Sequence, residues 1–389
     1  MKKMDPHVYL FSLGHFATDW AQGGIPALLP YFIAACHLSY QEAAGIIFAN
    51  ILLASVTQPI TGYYSDRMSF PWIAPFGVLL SGLCISAMAF TDSYWVIFIL
   101  SMLCGLGSSL YHPEAARMIN GIAGDFKGKA MGAFSVGGNA GFALGPIVCG
   151  LSAYTYGIKG LLVFGVVNVL TAIFLHKQMP AIQALIVSAK KEEAAKHTQA
   201  PAENDWKAFG KLTFVIFARS IGFTLCNTFI PLYWINVLHQ TAASGSMALS
   251  VLFSMGVVIT FIGGILADRF GFIRILRVSF FVMVPATFFL VNSANVWLSY
   301  ALLVPTALSL FAPYSAIVIL GQTYLGKNIG FASGVTLGLS GTVGGLVSPL
   351  VGWGADKWGI QPALQVLWVV ALIGCIFAFF VPAPKAWKE

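Results

Sequence analysis

Long apolar stretches separated by short polar or charged segments recur along the whole chain. A helix of about 20 residues crosses the ~30 Å hydrocarbon core of a bilayer, and these stretches are about that long or longer. Inside a bilayer the backbone must hydrogen-bond within the chain, so each stretch is predicted to be an α-helix. We expect twelve such helices, near residues 8–34, 43–64, 73–91, 94–120, 129–153, 160–178, 209–236, 246–266, 273–291, 296–322, 329–353 and 362–383.

Composition supports an all-α membrane protein. Hydrophobic residues make up 58% of the 389 positions and charged residues 9%, which is too little charge to cover a soluble globule of this size. The start, Met-Lys-Lys followed by an apolar run, superficially resembles a signal peptide. Polar Asp19 and Gln22 interrupt that run and no small-residue cleavage site follows. We therefore expect the first helix to be retained.

The distribution of positive charge predicts the orientation in the membrane. If the N-terminus is cytoplasmic, most lysines and arginines fall in cytoplasmic segments, and only Lys159 and Lys357 lie on the opposite side. We predict a multi-pass protein of the inner (plasma) membrane with both termini in the cytoplasm. The formal charge of +7 is then a topology signal, so the lipid bilayer is an expected partner and nucleic acid is not.

A repeated motif divides the chain into related halves. G-Y-Y-S-D-R at 62–67 returns 202 positions later as G-I-L-A-D-R at 264–269, and the segments at 150–157 and 352–359 show the same offset. Within each half the motif recurs after 88 residues, which suggests three-helix subunits of opposite topology.

This spacing predicts two pseudo-symmetric six-helix bundles. The first covers residues 1–178 and the second covers 209–389, with a polar cytoplasmic linker at 179–208. For the Ala-, Lys- and Glu-rich part of the linker, a solvated tether is favoured over a short helix at the membrane surface.

Several segments resemble known transporters. G-I-L-A-D-R-F-G-F-I-R at 264–274 resembles the loop signature of the major facilitator superfamily (MFS), and Gly137 to Pro146 resembles its antiporter signature. The segments at 14–20, 107–117 and 135–146 are similar to the fosmidomycin-resistance group of drug exporters. The resemblance implies the MFS fold and proton-coupled efflux of a small anionic or amphiphilic compound by alternating access. It implies a proton gradient as the driving force and no bound cofactor, and we expect a monomer.

Two features are candidates for gating. An Asp-Arg pair at a cytoplasmic helix end can latch neighbouring helices or simply hold its loop inside. Glycines at four-residue spacing on one helix face predict a packing seam, which a following proline would bend. In the resembled superfamily this seam faces the other half, although ordinary helix packing explains it equally well. The residues concerned are Asp66, Arg67, Asp268, Arg269, Gly137, Gly141, Gly145 and Pro146. The first-half loop departs from the superfamily pattern at residues 68–71.

The strongest functional signal is charge inside the predicted spans. Ionisable groups there cost several kcal/mol unless they are paired or hydrated, so each is a functional candidate. His15 and Asp19 are four apart, and Glu114 and Arg117 are three apart, so each pair shares a helix face. Arg219, in the seventh span, is either a further candidate or, as we favour, a side chain that extends to the cytoplasmic interface.

These charges suggest roles in coupling and substrate binding. We predict Asp19 and Glu114 as proton carriers, with substrate contacts from Arg117, His15, His112, Gln22, Tyr111 and Asn227. Three alternatives stay open: a fixed structural ion pair for Glu114 and Arg117, satisfied polar roles for the histidines, and helix-to-helix hydrogen bonds for the amides.

Two other functions compete with export. An uptake symporter for a small organic anion is an alternative, because Arg117 would attract an anion whichever way it travels. A divalent metal-ion transporter is another, because His15, Asp19, His112 and Glu114 can in principle converge as ligands. The sequence contains no H-E-x-x-H, G-x-S-x-G or nucleotide-binding loop. We therefore predict a transporter, not an enzyme, that uses an ion gradient and has no resident metal.

Overall fold

The computed structural model describes residues 4–67, 70–123, 127–193, 204–328, 331–332, 335–336 and 340–384. Within these ranges the chain is almost entirely helical, as predicted. The α-helices are α1 His7–Cys36, α2 Tyr40–Arg67, α3 Ile73–Ala87, α4 Tyr94–Ile122, α5 Lys127–Tyr156, α6 Leu162–Glu193, α7 Trp206–Asn236, α8 Ala242–Phe270, α9 Phe272–Asn292, α10 Val296–Phe311, α11 Tyr314–Tyr324, α12 Ser340–Trp358, α13 Ile360–Ala363 and α14 Val366–Phe380. Short 3-10 helices at Met88–Phe90 and Ile158–Leu161 follow α3 and precede α6.

Ten helical stretches among the described residues are long and apolar enough to cross a membrane. Neither α1 nor α12 is in this set. The first carries His15, Asp19 and Gln22 inside its apolar run, and the second is 19 residues long and rich in glycine. Polar groups in α1 lower its mean hydropathy although the helix is 30 residues long. The all-α membrane fold is confirmed.

Three of the predicted spans differ from the observed helices in continuity or length. The predicted tenth span is two helices, since α10 ends at Phe311 and α11 begins after Pro313, a residue with no N–H for a continuing helix. The twelfth span is likewise divided into α13 and α14. In the first half, α6 continues to Glu193, so residues 179–193 are helical where a solvated tether was favoured. Alanine, lysine and glutamate are good helix formers, and here they extend the existing helix.

The described chain forms two compact units. The first contains Met1–Leu28 and Ala49–Ala200, and the second contains Leu29–Phe48 and Pro201–Glu389. The second unit therefore includes the end of α1 and the start of α2, which the sequence had assigned to the first bundle.

Contacts with α12 explain why the start of α2 belongs to the second unit. The Asp356 carboxylate accepts hydrogen bonds from the backbone N–H groups of Tyr40 (2.6 Å) and Gln41 (2.9 Å). A negative charge at a helix N-terminus satisfies otherwise unpaired N–H groups and interacts favourably with the helix dipole. Gly352, one turn earlier in α12, lies so close to α2 that an added Cβ would be 2.6 Å from the Tyr40 carbonyl oxygen.

In the first unit, a buried amide joins three helices. Asn168 of α6 donates hydrogen bonds to the backbone carbonyls of Ala17 (2.8 Å) and Val78 (2.9 Å), and it accepts one from the Trp20 indole (2.8 Å). Asn168 is fully buried, and a satisfied polar group in such a place fixes the register of its neighbours. This junction positions the α1 segment that carries Asp19.

The glycine face of α5 packs directly on the backbone of α1. A Cβ added at Gly141 would lie 2.6 Å from the Phe16 carbonyl oxygen, and one at Gly145 would lie 2.5 Å from that of Trp20. Gly137 makes the same kind of close approach to the Ser12 carbonyl. The predicted packing seam is confirmed as a contact inside the first unit, while its role in gating stays a prediction. Pro146 is buried inside α5, directly after the seam.

Replacing Gly141 with alanine should destabilise the protein, because the new methyl group would overlap the α1 backbone. Overpacking of this kind costs about 1–3 kcal/mol. Gly210→Ala is the matched control, since a Cβ at Gly210 meets no described residue within 4 Å and alanine is favoured over glycine in a helix by up to about 1 kcal/mol. Thermal unfolding in detergent should show a lower Tm for Gly141→Ala and an equal or higher Tm for Gly210→Ala. Equal Tm values for Gly141→Ala and the parent protein would show that the seam is not tight.

Candidate functional site

Three titratable side chains meet in the first unit. His15 Nε2 lies 3.1 Å from Asp19 Oδ2, one turn apart on α1, and His112 Nε2 of α4 lies 3.2 Å from Asp19 Oδ1. The two imidazole rings are 4.6 Å apart between centroids. Asp19 is 4% exposed, and both histidines are half-buried. The structure thus brings together three of the residues predicted for coupling and binding, and we refer to them as the triad.

The Nδ1 atom of each imidazole also has a hydrogen-bonding partner. His15 Nδ1 is 2.8 Å from the Phe134 carbonyl oxygen of α5, and the His15 ring stacks on the Phe134 ring at a centroid distance of 4.0 Å. His112 Nδ1 is 3.0 Å from the hydroxyl of Ser108, one turn earlier on α4. Gly138 lies against His15 and Asp19, where any side chain would overlap them. The lack of a side chain on this face of α5 therefore makes room for the triad.

The hydrogen bond to Phe134 determines which nitrogen of His15 carries hydrogen. A carbonyl oxygen can only accept, so His15 Nδ1 must carry hydrogen. In a neutral His15 the other nitrogen is then a bare lone pair, and it faces a carboxylate oxygen at 3.1 Å. Two acceptors at this distance repel unless a proton lies between them. His15 and Asp19 therefore favour one extra proton, carried either as an imidazolium or as a carboxylic acid.

The second oxygen of Asp19 is less well satisfied. Oδ1 is buried and makes no hydrogen bond of good geometry to any residue that the structure describes, although His112 Nε2 is 3.2 Å away. A buried acceptor without a hydrogen bond is costly. The Ser108 hydroxyl can donate or accept, so it leaves the tautomer of His112 open. One ligand atom from each residue of the triad lies within 4.8 Å of the others, so the same side chains could hold a small cation.

Glu114 and Arg117 form a pair of their own. The guanidinium donates from Nε to Oε2 (3.0 Å) and from Nη2 to Oε1 (2.5 Å) of the carboxylate. Glu114 is fully buried and Arg117 half-buried. Such a two-point arrangement is the strongest geometry for this pair of groups. It agrees with the predicted i, i+3 contact, and Glu114 is not part of the triad.

The other predicted binding residues are placed separately. Gln22 donates to the Asn50 side chain (2.8 Å), which donates to the Ser101 carbonyl (2.9 Å). Gln22 thus takes part in hydrogen bonding between helices, which was the alternative to a substrate contact. Tyr111 is fully buried, and its hydroxyl donates to the Phe11 carbonyl. Asn227 of α7 is buried in the second unit, and its Oδ1 has no hydrogen-bond partner within the described part of the chain.

The predicted gating charges are mostly outside the described residues. This applies to the side chains of Asp66, Arg67 and Asp268. Arg269 is exposed, and its guanidinium carbon lies 5.3 Å from the centre of the Phe270 ring. The latch therefore stays a prediction.

Sequence reasoning missed the groups that orient the triad. Ser108 precedes His112 by four residues on the same helix, so its spacing could have identified it. The Phe134 carbonyl is a backbone group on another helix, and no sequence pattern reports such a contact. Gly138 was noticed as part of a glycine-rich segment, but its contact with His15 and Asp19 depends on how α5 packs on α1.

A family model described as the Major Facilitator Superfamily matches residues 11–311, which is most of the chain. The chain belongs to this superfamily. The resemblance seen in its motifs is therefore confirmed, and the protein is an MFS transporter with the two-bundle fold of that superfamily.

Relatives of similar length support this assignment. The fosmidomycin resistance protein of Escherichia coli strain K12 is 27% identical over 372 residues, covering 95% of this chain and 91% of that one. An uncharacterised MFS-type transporter of Bacillus subtilis, YfnC, is 28% identical and covers 99% and 94%. Among solved structures, a bacterial homologue of the human lysosomal transporter Spinster has a TM-score of 0.81 at 13% identity and covers 98% and 97%. At that identity the likeness is one of fold.

The Glu114–Arg117 pair yields a stability prediction. Glu114→Leu removes the carboxylate that the guanidinium binds through two donors, and breaking a buried pair from one side costs about 3–5 kcal/mol. The double variant Glu114→Leu/Arg117→Met removes both charges and should regain much of the lost stability. Thermal unfolding in detergent measures both variants. Additive losses in the double variant would show that the two side chains are energetically independent.

Proposed function

We propose that this MFS transporter exports a small anionic or amphiphilic compound in exchange for protons, by alternating access. The protein would act as a monomer in the inner membrane with both termini cytoplasmic, and the proton gradient would be its energy source. The observation that carries the proposal is the triad, a buried carboxylate between two histidines whose hydrogen bonding favours one extra proton.

Such a cluster can couple a proton to transport because its contacts come from three helices. Asp19 and His15 are on α1, His112 is on α4, and the Phe134 carbonyl is on α5. Any movement of one helix changes the partners of Asp19, and with them the affinity for the proton. Imidazole and carboxylate groups in apolar surroundings are suited to this role, because modest changes in contact alter their protonation. Glu114 is a second proposed proton carrier, and its two hydrogen bonds with Arg117 oppose protonation of the carboxylate.

The direction of transport is proposed from the relatives. One is named for resistance to fosmidomycin, and MdtG of Rahnella, named as a multidrug resistance protein, is 27% identical over 158 residues, or 39% of this chain. Both names describe resistance, which export of a drug from the cytoplasm would produce. An uptake symporter for a small organic anion remains the alternative of the same architecture.

Transport into everted membrane vesicles tests coupling and direction together. Vesicles containing the protein should accumulate radiolabelled fosmidomycin, or another phosphonate from a panel, when respiration acidifies their interior, and a protonophore should abolish the accumulation. Asp19→Asn should abolish gradient-driven accumulation yet preserve substrate exchange across de-energised vesicles. The asparagine amide can donate directly to His15 Nε2, so no extra proton is needed. Asp92→Asn, at an exposed position outside the helices, is the matched control and should transport normally.

Each other outcome has a distinct meaning. Full gradient-driven accumulation by Asp19→Asn would exclude Asp19 as the coupling group. Accumulation in right-side-out vesicles, with none in everted ones, would favour the uptake symporter over the exporter.

A divalent metal-ion transporter is a second candidate, favoured by the clustering of the triad. Two imidazole nitrogens and one carboxylate oxygen within 4.8 Å form a donor set suited to zinc and related ions. Each histidine has its other nitrogen held by a carbonyl or hydroxyl group, as metal-binding histidines usually do. Glu114, the fourth ligand expected from the sequence, binds Arg117 instead.

Calorimetry separates the two candidates. A metal transporter should bind Zn²⁺ to the purified protein with a 1:1 stoichiometry, and His112→Gln should weaken binding at least about tenfold, or 1.4 kcal/mol. Vesicles should then also accumulate ⁶⁵Zn. For a proton-coupled exporter of organic compounds we expect no ⁶⁵Zn accumulation, whether or not Zn²⁺ competes with protons at the triad.

A further inference from the structure

Arg219 is half-buried in the second unit, near the middle of α7. It is the fourteenth residue of α7, which places it about 20 Å along the helix axis from the first residue at 1.5 Å per residue. Its Nε donates a 2.6 Å hydrogen bond to the Leu310 carbonyl oxygen, near the end of α10. The guanidinium carbon is 5.0 Å from the centre of the Tyr314 ring. The expectation that Arg219 extends to the interface is therefore wrong, because contacts with two other helices hold it in place.

No carboxylate accompanies this guanidinium among the described residues. The ion pairs found there join histidines to Asp5 or Asp19 and Arg117 to Glu114. In the second unit, Asp205 caps the start of α7 and Asp356 caps the start of α2. A cation held at bilayer depth without a counter-ion is costly unless a partner reaches it. The carbonyl oxygen and the aromatic faces interact favourably with the charge but do not neutralise it.

The rings of Tyr314 and Phe223 lie beside the guanidinium. Phe223, one turn further along α7, has its ring centre 6.0 Å from the guanidinium carbon. Its ring packs 5.6 Å from that of Phe253 on α8 and 5.9 Å from that of Phe311 on α10. The second unit therefore places a fixed positive charge at the edge of an apolar aromatic cluster, a combination that suits a ligand with an anionic head and an apolar body.

We propose that Arg219 binds the anionic group of the transported compound, a phosphonate, phosphate or carboxylate, while Phe223, Phe253, Phe311 and Tyr314 contact its apolar part. This inference rests on the proposed export of an amphiphilic anion and identifies the residue that recognises the charge. Sequence reasoning gave this role to Arg117. The Arg117 guanidinium uses two of its donors on Glu114. With the residues that the structure describes, the guanidinium of Arg219 makes one hydrogen bond, through Nε. A planar guanidinium is well suited to a two-point contact with such anions.

Binding to the purified full-length protein in detergent tests the proposal without any proton gradient. The probes are 2-naphthylphosphonate and its uncharged counterpart 2-naphthylmethanol, measured by calorimetry. The parent protein should bind the phosphonate more tightly than the alcohol. Arg219→Gln should weaken phosphonate binding about tenfold to a hundredfold, the range expected for a lost hydrogen bond to a charged group, and leave alcohol binding unchanged. Arg219→Lys should have an intermediate effect.

Arg277→Gln is the matched control. Arg277 of α9 is also half-buried in the second unit. It donates to the backbone carbonyls of Ala378 and Phe379 on α14, and its guanidinium carbon lies 5.6 Å from the centre of the Phe379 ring. The Arg277→Gln variant should bind both probes with the same affinity as the parent protein.

Two results would overturn the proposal. One is equal binding of phosphonate and alcohol by the parent protein. The other is unchanged phosphonate affinity in a folded Arg219→Gln variant, and if that variant does not fold, unchanged affinity in Arg219→Lys decides in the same way. Because no gradient is involved, a failure of proton coupling leaves this test intact. A protein that binds the anion through Arg219 but does not transport it against a gradient would contradict the proposed export alone.

Discussion

A charge at the depth of the hydrocarbon core must find a counter-charge, a hydrogen bond or water, and this constraint governs the interior of both units. In the first unit Asp19 lies between two imidazoles, and Glu114 is bound by Arg117. In the second unit Arg219 has a carbonyl oxygen and aromatic faces, without a carboxylate among the described residues. The compensated charges and the uncompensated one suggest different tasks, which are proton binding and anion binding.

The small residues of α5 make the triad possible. Gly141 and Gly145 allow α5 to lie on the backbone of α1, and Gly138 leaves space beside His15 and Asp19. The same close approach brings the Phe134 carbonyl to His15, and that single backbone acceptor fixes which imidazole nitrogen faces the carboxylate. Packing between α1 and α5 therefore determines which nitrogen of His15 carries hydrogen next to Asp19.

Local spacing predicted what lies on one helix, and only tertiary packing revealed the rest. The contacts of His15 with Asp19 and of Glu114 with Arg117 follow from four- and three-residue spacing. The meeting of His112 on α4 with His15 and Asp19 on α1 was anticipated as a possible set of metal ligands. For Arg219 the sequence favoured an interfacial side chain, because a lone arginine in an apolar run is also typical of an interfacial residue. Its partners come from α10 and α11, which local spacing does not reveal. The helical end of α6 was underestimated because its composition is also typical of a solvated tether.

The central claim is that His15 and Asp19 hold one proton between them. Nitrogen NMR of ¹⁵N-histidine-labelled protein in lipid tests it most directly, with the His15 signals assigned by their loss in His15→Gln. The account predicts a protonated His15 Nδ1, together with an Nε2 that either carries a proton or accepts a strong hydrogen bond. A neutral His15 with hydrogen on Nε2 alone would contradict it.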